Sequence, residues 1–168
     1  MRRVDKRGQI KLSFGMIFSI ILIIIFLAFG FYAIAKFLNL KGYVEAGKFA
    51  EAMQNDVDKM WKSSQGSQEV EYSLSSKVEA VCFVDYSYQS KKDIKGIYEK
   101  LKQVYDNEQN FFFYPIGSGQ GLDAATIRHI DLEKITKEEN PFCVKNTENK
   151  VKLTIKKNFD DALVVITE

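Results

Sequence analysis

His129 is the one histidine in a chain of 168 residues, and it stands beside Arg128 with Asp131 two positions on. An imidazole near a carboxylate has the ingredients of a general base. A base must also act on something, and no serine or cysteine nucleophile is marked by its spacing to this residue. The sequence therefore reads His129 as a surface or boundary residue. Gly117-Ser118-Gly119-Gln120-Gly121 is glycine-rich enough to suggest a phosphate cradle. It lacks both the G-x-G-x-x-G spacing at the start of a helix and the Gly-Lys-Ser/Thr ending of a P-loop. A flexible surface turn is expected, with glycine supplying positive φ at little cost. The acid pairs Glu138-Glu139 and Asp160-Asp161 fall in predicted turns without an EF-hand pattern, so solvation or capping accounts for them better than calcium. No catalytic, cofactor-binding or metal-ligating residue is assigned, and the chain is not read as an enzyme.

Cys82 and Cys143 are the only cysteines. No C-x-x-C motif or histidine cluster accompanies them, which argues against a metal pair. A bridge between them would close a loop of about sixty residues and contribute on the order of 4 kcal/mol in the chain-entropy model, provided the compartment is oxidising. Two separate buried thiols are the alternative.

Residues 14–35, FGMIFSIILIIIFLAFGFYAIA, decide the compartment. They hold no charged residue, and as a helix they reach about 33 Å, matching a hydrocarbon core of roughly 30 Å. This stretch is expected to cross a bilayer. Arg2, Arg3, Lys6, Arg7 and Lys11 precede it against Asp5 alone, a local charge of +4 in a chain of net +2, so the other 157 residues carry −2. Positive residues beside a span stay cytoplasmic, which places the N-terminus inside and the C-terminal part outside the cell, where a disulfide can form. The near-neutral remainder has no basic cluster, and nucleic acid is not expected as a partner. A secretory signal would also begin with basic residues, and Ala33-Ile34-Ala35 offers a small-x-small site. Its apolar region would be shorter, about 7–15 residues.

The leader, residues 1–13, carries Lys6-Arg7-Gly8 followed by Gln9-Ile10 at the edge of the apolar run. This resembles an archaeal class III signal sequence of type IV pilin-like proteins. The resemblance implies cutting by a prepilin-peptidase-like enzyme between Gly8 and Gln9, leaving the hydrophobic helix as the mature N-terminus. The family pattern is similar to Gln-x-Ser-x-Glu; here Lys11 stands for the serine and Ser13 for the glutamate. In pilin-like subunits that glutamate pairs with a neighbour's N-terminal amine. Its absence points to a minor pilin or pilin-like anchor rather than a major filament subunit.

Within the span, Gly15 and Ser19 lie four apart on one face and would permit close helix approach. Association through this helix, with like or unlike copies, is the partnership expected besides the bilayer. Residues 36–63 then turn amphipathic, with Tyr43, Ala46, Ala50, Met53, Val57 and Met60 spaced 3, 4, 3, 4, 3. That stripe suits packing on a head domain or, alternatively, a self-associating coil. Gly42 and Gly47 weaken it locally. Ser63-Ser64-Gln65-Gly66-Ser67 ends the helix, and residues 64–168 form the head.

In the head, residues 69–74 and 78–84 read as a hairpin joined at Ser75-Ser76-Lys77, and residues 91–106 as an amphipathic helix. Phe111-Phe112-Phe113-Tyr114 reads as a strand whose alternating aromatics pack in the core, an outer apolar patch formed by half of them being the alternative. Residues 126–135 are ambiguous and read as a strand. Residues 141–145 form a short extended piece, and residues 150–156 with 163–167 form a C-terminal hairpin. The class is α+β: a long N-terminal transmembrane helix continuing into a stalk, then a mainly antiparallel head with one covering helix. The function this implies is that of a membrane-anchored, pilin-like interaction protein. An uncleaved tethered binding domain and a tethered extracellular enzyme are the alternatives.

Overall fold

The computed structural model describes residues 14–93, 96–105 and 108–168, the side chain of Asn39 excepted. The chain divides after Leu38 into two compact units. Helix α1, Phe14–Lys62, belongs to both. Up to Leu38 it carries only exposed residues, Gly30 alone being half-buried. It is long and apolar enough to cross a membrane by length and composition. No proline interrupts it, and Lys59 and Lys62 in its last turn complement the negative end of the helix dipole. The Ser63 hydroxyl and N–H both donate to the Met60 carbonyl, at 2.6 and 3.1 Å, and close the helix.

The second unit, Asn39–Glu168, is built on two antiparallel sheets. Strand β1 is Gly66–Ser73 and β2 is Ala80–Phe83. After α2, Ile97–Val104, come β3 at Phe111–Tyr114 and β4 at Ala124–Ala125. Helix α3 is Leu132–Ile135, and β5 at Phe142–Lys145, β6 at Lys150–Lys157 and β7 at Val165–Thr167 complete the chain. One sheet has the order β1-β6-β7 and the other β4-β3-β2-β5.

The second half of α1 lays one stripe on both sheets. Ala46, Phe49, Met53, Val57 and Met60 are buried with Val70 and Tyr72 of β1, Val151, Leu153 and Ile155 of β6, Val81 and Phe83 of β2, and Phe111 and Phe113 of β3. Burying each large side chain stabilises the fold by about 1.5–3 kcal/mol. Of the two readings of the stripe, packing on the head is the one seen. Two members of the expected stripe are corrected: Tyr43 is exposed, and Phe49 takes the place of Ala50, ringed by Tyr72, Phe111 and Phe113 at centroid distances of 5.1, 5.8 and 5.7 Å. On the opposite face of the second sheet, Phe112 and Val84 pack with Tyr98 and Leu101 of α2. The aromatic run is thus buried on both faces of its strand.

Three expectations are corrected. Residues 69–74 and 78–84 do not form a hairpin: β1 pairs with β6 along all eight residues, from Gly66 opposite Lys157 to Ser73 opposite Lys150, while β2 lies between β3 and β5. Their environments differ, since β1 is exposed over its first four residues and alternates only from Val70 on, whereas β2 is buried throughout. Residues 126–135 are not a strand. Asp131 accepts the Lys134 N–H at 3.0 Å and caps α3, and only Ile130 makes a bridge, to Val164. The helix expected over residues 91–106 starts at Ile97. The Asp93 carboxylate caps the Ile97 and Tyr98 N–H groups at 2.7 and 3.0 Å, and the Lys91 backbone is already paired with Asn140. Ile94, Lys95 and Asp106 lie outside the described residues. The C-terminal hairpin is present, with Ile155 opposite Ile166.

Candidate functional site

The densest set of interacting polar side chains lies where α1 meets the segment around His129. Gln54, Asp58 and Trp61 are spaced four and three apart, so they share a helix face beside the buried stripe. Gln54 accepts the Arg128 N–H at 2.8 Å and donates to the Arg128 carbonyl at 3.4 Å and to Asp58 Oδ1 at 2.8 Å. Asp58 Oδ1 lies 2.9 Å from His129 Nδ1. Facing a carboxylate, Nδ1 is the protonated nitrogen, and Nε2 is left for other use. The His129 hydrogen bond, joined by that from Gln54, holds the Asp58 carboxyl below its ordinary value against the opposing effect of desolvation. The Trp61 indole stacks on the imidazole with centroids 3.8 Å apart and planes 3° apart. His129 itself adopts φ 65°, a conformation a non-glycine residue keeps only when its surroundings enforce it.

An oriented imidazole is two thirds of a hydrolytic triad, and the missing third is a nucleophile. Among the described residues no hydroxyl or thiol hydrogen-bonds to His129, and both cysteines are in a disulfide. The arrangement works instead as a clamp: one amide, one carboxylate–imidazole hydrogen bond and one ring stack fasten α1 to residues 128–129. The sequence places Asp131 as the acid beside His129. The structure assigns that role to Asp58, 71 residues away, and gives Asp131 to the α3 cap. The i, i+4, i+7 spacing of Gln54, Asp58 and Trp61 was the available signal.

Gly8 and Gln9 lie outside the described residues. Gly15 and Ser19 are exposed on α1, and the Ser19 hydroxyl donates to the Gly15 carbonyl at 2.8 Å, which satisfies it inside its own helix. Cys82 and Cys143 stand directly opposite in the β2–β5 register and are disulfide-bonded, with Cα atoms 4.0 Å apart. The glycine-rich loop is not a freestanding turn. A Cβ on Gly42 of α1 would overlap the Gln120 amide, and one on Gly121 would come within 3.4 Å of Tyr43. Successive turns, with Ser118, Gln120 and Leu122 donating to Pro115, Gly117 and Gly119, fold the loop onto the helix.

Glu139 reaches Lys92 at 4.0 Å across an exposed surface. Asp161 accepts Lys134 Nζ at 2.6 Å together with the Asn158 N–H and amide, and these bonds pull its carboxyl down to about 2. Both acid pairs therefore do the capping and solvated work expected of turns. A cavity of about 600 Å³ lies over the outer face of β1 and β6, lined by Glu69, Glu71, Lys150 and Lys152. Within it Glu71 pairs with both lysines. Among the described residues no three histidine, cysteine or acidic side chains converge as a metal set.

Comparison with protein-family models, curated proteins and solved structures finds no match for this chain.

Proposed function

We propose that this is a single-pass membrane protein with a cytoplasmic N-terminus and an extracellular, disulfide-clipped head, acting as a pilin-like structural or interaction subunit. The observation that carries this reading is the uncovered apolar helix. From Phe14 to Leu38 its side chains are exposed in the isolated chain, and an apolar surface of that extent requires a nonaqueous neighbour. A bilayer supplies one, and so does a bundle of like helices. The excess of positive charge before the helix supports the inward N-terminus. The Cys82–Cys143 bridge supports an oxidising compartment for the head.

A second reading, an uncleaved anchor that tethers a binding domain, is favoured by Lys11 and Ser13 at the two positions where the leader departs from the pilin-like pattern. Intact mass of the membrane-purified protein separates the two. Loss of residues 1 to 8, leaving Gln9 first, is the expected result. A chain that keeps Gly8 would overturn processing and leave the anchor.

A further inference from the structure

Among the described residues, strand β1 is the one long sheet edge left open. The other outer strands are short: β4 has two residues, β7 three and β5 four. β1 has eight, in unbroken register with β6, and holds none of the prolines, lysines or bulges that ordinarily blunt an edge. The direction of its backbone groups follows from the ladder. The Leu74 N–H donates to the Asn149 carbonyl at 2.9 Å, and Lys150, opposite Ser73, gives its own N–H to Thr147. Hydrogen-bonded pairs alternate in an antiparallel ladder, so Ser67, Glu69, Glu71 and Ser73 turn N–H and C=O away from β6. Among the described residues these groups have no hydrogen-bond partner, and all four residues are exposed. Val70 and Tyr72, between them, are buried with α1.

We propose that the β1 edge docks an extended segment of another polypeptide in which cationic residues alternate with apolar ones. Both rows of the strand specify that chemistry. A residue directly opposite Glu69 or Glu71 shares their face, so a lysine or arginine there meets a carboxylate. Glu71 is already held by Lys150 and Lys152, while Glu69 is paired with no cation among the described residues. The alternate residues fall beside Val70 and Tyr72, where apolar side chains extend the buried row. β6 has this pattern, Lys-Val-Lys-Leu-Thr-Ile-Lys-Lys, and already fills the other side of β1 with Lys152 opposite Glu71. A second copy does not suit the edge. Antiparallel pairing of β1 with itself, with Ser67 opposite Ser73 so that all four outward residues are used, sets Glu69 against Glu71. Docking here is independent of the anchor and of leader processing.

Fluorescence anisotropy tests this with the full chain in phosphatidylcholine nanodiscs and, as the probe, a labelled synthetic peptide of the β6 sequence, residues 150–157. The expected result is saturable binding that empty nanodiscs do not show, about tenfold weaker to Glu69→Lys, and lost when glutamate replaces each lysine of the peptide. Strand pairing has a signature that charge attraction lacks. N-methylation of the peptide at positions 152, 154 and 156 removes the N–H groups that face β1 and should abolish binding, whereas N-methylation at 151, 153 and 155 should leave it in place. Equal binding of the two methylated peptides overturns strand docking, and no binding of the unmodified peptide overturns the proposal outright. Binding to Glu69→Lys at native strength overturns the edge as the site. A native chain that sediments as a dimer in detergent, and as a monomer once Glu69→Pro removes an outward N–H, puts a second copy on β1 and overturns the stated partner.

Discussion

Asp58 serves packing and titration at once, because the hydrogen bonds that fasten α1 to the head also favour its ionised form. Glu71, held first by Lys150, and Asp161, held first by Lys134, are lowered in the same way. A carboxyl whose folded value lies below its unfolded one contributes stability at pH above the unfolded value, and that contribution is lost as pH falls through the folded one. The denaturation midpoint of the full chain is therefore expected to drop between pH 5 and pH 2, with most of the Asp161 share disappearing near pH 2. Asp161→Asn should flatten the lower part of that profile, and an unchanged slope would refute the assignment. At this scale the sequence was legible in kind more often than in partner. Cys82 finds Cys143, but His129 finds an acid far from its neighbours, because the left-handed turn at His129 presents its ring to α1.

Helix α1 passes through Gly42 and Gly47 without interruption, and the two glycines have different surroundings. At Gly42 the Gln120 amide occupies the place of a Cβ, whereas at Gly47 the nearest atom, Leu122 Cδ2, is 3.9 Å away. Gly47→Ala is expected to stabilise the protein by up to about 1 kcal/mol, since alanine costs less backbone entropy in a helix and meets only an ordinary van der Waals contact. Chemical denaturation of the full chain in detergent would read this as a higher midpoint with an unchanged slope; a lower midpoint would mean the site is tighter than described. The stripe on α1 was readable from its period. Its central residue was not, because Ala50 and Phe49 fit a helical repeat about equally and only the space between Phe111 and Phe113 selects the larger side chain.

Across the whole molecule, the disulfide joins β2 to β5 over a separation of 61 residues. Removing it as the Cys82→Ala, Cys143→Ala pair is expected to cost about 4 kcal/mol, chiefly by freeing the unfolded chain. Calorimetry of the double variant beside the native chain measures the loss, and equal melting temperatures would show that the packing of β2 and β5 suffices. The bridge lies within the second sheet, between β2 and its edge strand β5, while α1 packs on both sheets.

By itself the sequence determined the features that depend on local composition: the apolar helix, the amphipathic stripe after it, the α+β class, the aromatic strand and the C-terminal hairpin. Each follows from a period or a run of residues whose burial preference does not depend on distant partners. The tertiary structure alone decided how the strands other than β6 and β7 pair, where the helices capped by Asp93 and Asp131 begin, and what fastens α1 to its head. Strand partners compete across the whole chain, a cap forms only where the surrounding backbone leaves its N–H groups free, and the Gln54–Asp58–His129–Trp61 clamp joins residues more than sixty positions apart. No local pattern carries that information, because the energy that selects each contact arises only after the core has formed.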